Sequence, residues 1–390
     1  MVQVALIAAP SRGSEKLYGR KLLERMLLTC ERAGITQFFI RCENGEQEET
    51  KEGLGSFRGR PDIQFVDSFK GLTNGPHQLA ASTPCIALEG NVVFARSQLD
   101  SMIDRYNAKP SQVLRLASTG GDLEGRVSMG PLGELLRNLQ TAGAVASLAG
   151  TLPYSLDGHP ADRHEAELRL AKALRHETTS TDGFMARLFD RKISWRISRR
   201  LAYGRITPNQ VTIGNTVLGL VAATMFAVPG YWLRIVASLL FLISITIDGV
   251  DGELARLKMV ESEFGGRLDK ATDNLVHVAI FIGMAVGCYR ASGSVTYLWL
   301  VGLLLGGFAL CGLSVSHALR IKGAEAEEWI SQVERATGRD FAYLLVLLAV
   351  IGHLEYFIWG TAFGTYIFAS GLWLLTLRQR DQPGHRPQTN

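Results

Sequence analysis

Asp248-Gly249-Val250-Asp251-Gly252-Glu253-Leu254-Ala255-Arg256, followed after eight residues by Gly265 and then by Asp269 and Asp273, sets four carboxylates between two strongly apolar runs. A carboxylate at membrane depth costs about 2.5 to 3.5 kcal/mol on insertion scales, so packing alone does not select four of them. On a helix Asp248 and Asp251 are three apart and Asp269 and Asp273 four apart, so each pair projects from one face. Two such faces turned together enclose a space suited to hard divalent cations with oxygen ligands, and mutual repulsion calls for a cation there. Gly252 and Ala255 place small residues on the Asp248 stripe, and Gly265 does the same ahead of Asp269, so a bulky ligand can come close to both helices. Arg256 supplies a cation at the rim for phosphate.

Outward from this stretch, Val211–Leu233, Asn274–Tyr289, Ala291–Leu319 and Tyr356–Leu377 contain no Lys, Arg, Asp or Glu. Such stretches read as membrane spans, and six are expected, over 208–228, 231–256, 265–289, 296–319, 340–354 and 358–377. His353 and Glu355 interrupt the region of the fifth. The first 210 residues are charged throughout, and the mean hydropathy of +0.10 for 390 residues averages the two halves. Five scattered cysteines form no C-x-x-C pair, and a net charge of +4 is small for this length. A disulfide scaffold and a nucleic-acid binder are therefore excluded. The first residues have no basic leader and too short an apolar run for a secretory signal.

In the front half, Val2–Ala9 reads as a buried parallel strand, 21–33 as a helix closed by Gly34, and 35–41, 63–66 and 85–88 as further strands, with a helix over 97–106. Strand and helix alternate, which predicts an α/β domain with a mainly parallel sheet over 1–150. A junction over 151–207 follows, with a charged helical segment over 163–176 and a break over 178–183. In the junction's second helix Met185, Phe189, Ile193, Ile197 and Leu201 recur every four residues beside Arg187, Arg191, Arg196, Arg199 and Arg200. That pattern suits an interfacial helix lying against anionic lipid, with a linker helix packed on the front domain as the plainer reading. Arg256, Lys258, Arg267, Lys270, Arg320, Lys322, Arg335 and Arg339, with Arg378, Arg380 and Arg386 in the tail, fall on one side of six spans; only Arg234 and Arg290 fall opposite. The positive-inside rule makes both termini and the front domain cytoplasmic in a multi-pass protein of the cell membrane.

Two resemblances follow. Leu6-Ile7-Ala8-Ala9-Pro10-Ser11-Arg12-Gly13, Tyr18-Gly19-Arg20-Lys21-Leu22-Leu23-Glu24-Arg25 and Ala33-Gly34-Ile35 resemble the opening of sugar-phosphate nucleotidyltransferases, whose glycine-rich loop cradles a nucleotide triphosphate. Pro10 and Arg12 stand where that loop wants glycines, and Gly90-Asn91 replaces the Gly-Asp pair that holds the metal; an amide is a poor substitute for a carboxylate on Mg²⁺. A degenerate, non-catalytic copy is the expectation, with a working cytidylyltransferase, and hence a bifunctional enzyme, as the alternative.

The second is fuller. The motif D-x2-D-G-x2-A-R-x8-G-x3-D-x3-D is met at every fixed position, and Pro208-Asn209-Gln210-Val211-Thr212 looks like a P-N-x-V-T segment. These residues resemble the CDP-alcohol phosphotransferases over about 182–380, which gives a third domain at 208–380. The resemblance implies a transferase that moves a phospho-alcohol group from a CDP-linked donor to a polar alcohol acceptor, forms a phosphodiester and releases CMP. It implies one or two Mg²⁺ or Mn²⁺ ions on Asp248, Asp251, Asp269 and Asp273, with Asp273 also the general base. Asn209, Thr212, Gly252, Ala255, Arg256 and Gly265 would join Asp248 and Asp251 in the CDP pocket. The domain order is similar to that of bifunctional enzymes making and using CDP-inositol, and a homodimer fits the family.

Arg267, Lys270 and Arg320 are candidates for an acceptor phosphate, with topology determinants as the plainer reading. His277 continues the Asp269/Asp273 stripe and reads as an interior histidine or pocket contact. Gly302, Gly306, Gly307, Ala309 and Gly312 predict close helix contact. Of the competing classes, a non-catalytic membrane scaffold has no need of four buried carboxylates, and an aspartate-rich prenyltransferase would carry two denser motifs.

Overall fold

The computed structural model describes residues 2–11, 13–42, 46–74, 79–88, 91–110, 113–116, 127–138, 152, 154–156, 160–178, 189–322, 330 and 340–377. Arg12, Gly90, Met185, Arg187, Arg335, Arg339, the tail arginines and the break after Thr178 lie outside the described residues. The chain divides into two compact units: Met1–Thr178 with Ala202–Gly204 and Arg256–Met259, and Thr179–Leu201 with Arg205–Ala255 and Val260–Asn390.

The first unit is built on strands β1 (Val4–Ala8), β2 (Gln37–Arg41), β3 (Ile63–Val66), β4 (Pro84–Leu88), β5 (Leu114–Arg115) and β6 (Val127–Pro131), in the order β3-β2-β1-β4-β6-β5. The pairs β1–β2, β2–β3 and β1–β4 are parallel, whereas β6 runs antiparallel to β4 and β5. Continuous apolar runs such as Val4-Ala5-Leu6-Ile7 are buried on both faces, as central parallel strands require. Helix α1 (Leu22–Arg32) buries Leu22, Leu23, Met26, Leu27 and Cys30, and the chain leaves it through Gly34 at φ +89°. Helices α2 (Arg96–Ala108) and α3 (Pro160–Thr178) belong to the same unit. All five cysteines are free, and burial pushes the Cys85 thiol up to about 12, so it stays a protonated packing group.

The second unit is helical: α4 (Arg191–Ala202), α5 (Pro208–Phe226), α6 (Tyr231–Lys258), α7 (Glu263–Ser292), α8 (Thr296–Lys322), α9 (Phe341–Ile351) and α10 (Leu354–Leu377). Helices stand at all six positions expected for spans, yet among the described residues only α6, α7, α8 and α10 are long and apolar enough to cross a membrane. The fifth expected span is α9, with 11 residues between Asp340 and a left-handed Gly352. At 1.5 Å per residue it covers roughly half of a 30 Å hydrocarbon core. The exposed side chains of the long helices, Trp299, Leu313, Ile367 and Leu374 among them, are those of a membrane protein.

Small residues bring α5 and α7 together. A Cβ on Gly283 or Gly287 would strike the carbonyls of Ala223 and Phe226, and one on Gly219 would strike Val276. The glycines of α8 divide: Gly306 faces Tyr366 and Gly307 faces Thr365 of α10, but Gly302 and Gly312 have nothing within 4 Å and make no close contact.

The helix before the bundle is built differently from its expected lipid-facing pattern alone. Its inward face is polar: Asp190, Ser194 and Ser198 are buried, and the Glu253 carboxylate accepts from Arg191 (3.0 Å), Ser194 (2.7 Å) and Ser198 (2.7 Å). Phe189 and Ile193 are left exposed, at 55% and 46%.

Candidate active site

The elements that carry the site begin with local sequence signals. Thr207 caps α5 in a reciprocal box with Gln210, its Oγ1 accepting from the Gln210 N–H at 3.3 Å and its own N–H donating to Gln210 Oε1 at 3.0 Å, and Pro208 occupies the first helical position. Ser262 caps α7 by accepting from the Gly265 N–H at 3.0 Å. These caps start one helix immediately before Asn209 and the other six residues before Asp269.

Asp248 on α6 and Asp269 and Asp273 on α7 each offer a carboxylate oxygen within 4.8 Å of the others, and all three are half-buried. Three anions this close in a partly desolvated place repel strongly unless a cation lies among them. The donor set, hard carboxylate oxygen only, suits Mg²⁺ or Mn²⁺ and not a soft metal. Asp251 is buried deeper: its Oδ2 accepts from the Thr212 hydroxyl and its Oδ1 from the Gly252 N–H at 2.6 Å. Asp248 acts on it electrostatically, and Asp269 lies within hydrogen-bonding reach of it. Thr212 therefore reaches the cluster from a third helix by orienting a carboxylate.

Asn209 stands close to Gly265, its Oδ1 3.3 Å from where a Cβ on that glycine would lie. A larger residue at 265 would press on Asn209. Gly252 and Ala255 are half-buried on α6, and Arg256 follows them. Arg267 is exposed and paired with Glu263 at 2.9 Å, an arrangement worth little in solvent. Lys270 and Arg320 are exposed, and no described contact joins any of these three cations to the carboxylates. The side chain of Lys322 lies outside the described residues.

Beside the carboxylates lies a cavity of about 150 Å³, opened on by Asp248 and Asp273. Its polar lining is Asn215, Thr216, Ser244 and His277, and Phe241 and Phe341 are among its apolar walls. His277 Nδ1 donates to the Asp273 carbonyl at 2.8 Å, and its ring stands edge-on to Phe241. The histidine is thus an interior wall residue. Asn215, Thr216 and Ser244 escape a reading of the sequence because each is an ordinary small polar residue in an apolar run; the spacing that marks them is Ser244 four residues before Asp248.

Residues 205–374 match the family model for CDP-alcohol phosphatidyltransferase. The chain is 35% identical over 137 residues to an archaetidylinositol phosphate synthase of Pyrococcus horikoshii, covering 35% of this chain and 71% of that protein. It is 29% identical over 180 residues, 45% of this chain, to a bifunctional IPC transferase and DIPP synthase of Aquifex aeolicus. The chain spans no more than 39% of the length of the bifunctional relatives it matches. A solved 4-diphosphocytidyl-2C-methyl-D-erythritol synthase from Anaerococcus prevotii matches 43% of this chain and 98% of its own at 15% identity, with a TM-score of 0.32. With its aspartates converging from α6 and α7, and with a relative matched over most of that relative's length, the chain belongs to the CDP-alcohol phosphatidyltransferase family.

Proposed function

We propose that the chain is a membrane transferase that moves a phospho-alcohol group from a CDP-linked alcohol to the hydroxyl of a polar alcohol, releasing CMP. The observation that carries this reading is the convergence of Asp248, Asp269 and Asp273, with Asp251 beside them, on two helices long enough to cross a membrane. Asp248, Asp251, Asp269 and Asp273 would hold one or two Mg²⁺ or Mn²⁺ ions, which when bound neutralise the diphosphate of the donor. The acceptor oxygen attacks the phosphorus that bears the donor alcohol, the bond from that phosphorus to the CMP phosphate breaks, and the acceptor proton passes to the Asp273 carboxylate. Asn209, Thr212, Gly252, Ala255, Arg256 and Gly265 would line the CDP site, and Arg267, Lys270 and Arg320 would be the candidates to meet an acceptor phosphate. The name of the Pyrococcus relative supports an inositol-phosphate type of acceptor.

The polar inward face of α4 and the exposure of Phe189 and Ile193 support an interfacial helix between a domain over 1–150 and a bundle over 208–380. Read as six crossings, the chain returns to its starting side, and the arginine and lysine distribution supports a cytoplasmic position for that side. A homodimer is part of this proposal. The front domain is read as non-catalytic. Full-length Asp273→Asn protein given CTP, Mg²⁺ and sugar phosphates should release no pyrophosphate, and release would establish a second activity. For the transferase itself, membranes containing the full chain are offered a panel of CDP-linked donors and acceptors. CMP should appear with one pairing, and its absence across the panel rejects the proposal.

A further inference from the structure

The unit that contains the sheet also contains Ala202–Gly204 and the four residues Arg256–Met259. Those four residues are the first of the chain that joins the Asp248/Asp251 half of the motif to the Gly265/Asp269/Asp273 half. The last carbonyls of any helix lack partners within the helix, and a cation is their most favourable donor. In this unit two arginines supply it. Arg20 Nε donates to the Lys258 carbonyl at 2.9 Å, and Arg25 Nη2 donates to the Leu257 carbonyl.

Neither arginine is held casually. Arg20 Nη1 is paired with Glu24 at 2.6 Å, and the buried Glu24 carboxylate is fixed in turn by the Ser56 N–H (3.0 Å) and hydroxyl (2.8 Å). Gly55, at φ +56°, packs so tightly on that carboxylate that a Cβ there would overlap it. Arg25 is 4% exposed, and burial lowers its guanidinium to about 10. The turn itself is strained: Met259 has φ +55°, a conformation that residues other than glycine avoid and that persists where surroundings enforce it. Lys258 Nζ adds a bond to the Gly204 carbonyl at 2.7 Å. Such an assembly of buried charge around one turn is a costly way to end a helix, unless the position of that turn matters.

We infer that Arg20 and Arg25 are positioning residues of the transferase, capping the Leu257 and Lys258 carbonyls so that the turn after the Asp248–Arg256 motif, and with it Arg256, is fixed where the donor's diphosphate is to be met. This gives a non-catalytic nucleotidyltransferase-like half a function in the reaction. The inference rests on the transferase reading of the aspartate motif.

The test uses the full-length protein in detergent, with CDP and Mg²⁺ as the probe. Arg20→Ala is expected to weaken CDP binding about tenfold, the size of one charge-assisted hydrogen bond. Arg20→Lys, which keeps a cation beside Glu24 and a donor for the carbonyl, should restore most of the affinity with a thermal midpoint near that of the wild type, whereas Arg20→Ala, which takes the cation from the buried Glu24 carboxylate, should also lower the midpoint. Hydrogen exchange at the amides of 257–260 should speed in Arg20→Ala and return in Arg20→Lys. Wild-type CDP affinity in Arg20→Ala, or unchanged exchange in that turn, overturns the positioning role. Loss of CDP affinity in Arg20→Lys equal to that in Arg20→Ala overturns it as well. A wild-type protein with no affinity for CDP rejects the transferase reading itself, and exchange in the turn still decides whether the arginines hold it.

Discussion

Two sets of carboxylates lie within the helical unit, and they are treated in opposite ways. Glu253, fully buried, is surrounded by protein donors: Arg191, Ser194 and Ser198 all point at it. Asp190, 2% exposed, accepts on one oxygen from Thr246 at 3.1 Å and Tyr343 at 2.7 Å. Asp248, Asp269 and Asp273 instead bring their oxygens to within 4.8 Å of one another. At Glu253 the fold therefore neutralises the carboxylate, at Asp190 it serves one oxygen and leaves the buried Oδ2 without a hydrogen-bond partner, and in the aspartate cluster it concentrates the same functional group. The first set fastens α4 to the bundle, and the second is useful only if a cation and an anionic ligand complete it.

Removing the carboxylate proposed to take the acceptor proton should have the largest effect. Asp273→Asn should lower the rate of CMP release by about a thousandfold, within the range for loss of a general base, while CDP remains bound. Retained turnover would remove the base assignment from Asp273 and weaken the contrast between the two sets. Next in size, Glu253→Ala removes the buried carboxylate to which Arg191, Ser194 and Ser198 all donate. A destabilisation of about 3 kcal/mol is expected, read as a fall in thermal midpoint in detergent. Stability like that of the wild type would mean that Glu253 does not fasten α4. Asp269→Asn should do the reverse: weaken the Mg²⁺ dependence of CDP binding by roughly an order of magnitude while relieving repulsion, so that the apo protein becomes no less stable. A large loss of apo stability would place Asp269 with the structural set. The smallest effect belongs to Tyr343→Phe, which removes one donor from Asp190 and should cost about 1 kcal/mol with CMP release per folded molecule within about twofold.

Much of this arrangement is legible in the amino-acid sequence. The spacing of Asp248, Asp251, Asp269 and Asp273 predicts two faces of carboxylates, and three of the four meet as that spacing implies. Apolar runs locate β1, β2, β3 and β4 because central parallel strands are buried on both faces. Strand β6, Val-Ser-Met-Gly-Pro, carries no such run, and its place is set by antiparallel pairing with β4. The structural carboxylates are hidden for a related reason. Asp190, Ser194 and Ser198 recur every four residues, as Phe189, Ile193 and Ile197 do, so the helix has two stripes, and charge pattern alone does not say which one turns inward. The length of α9 is obscured by apolar residues on both sides of Gly352, where a left-handed turn divides what hydropathy joins.

That the converging aspartates form a divalent-cation site for a CDP-linked donor is a proposal. It is tested most directly by titrating CDP into the full-length wild-type protein with Mg²⁺ and again with a chelator. Binding that requires Mg²⁺, and that loses this requirement in Asp248→Asn together with most of its affinity, is the predicted result. CDP affinity that is indifferent to Mg²⁺ in the wild type would mean that the aspartates hold no such cation for the donor.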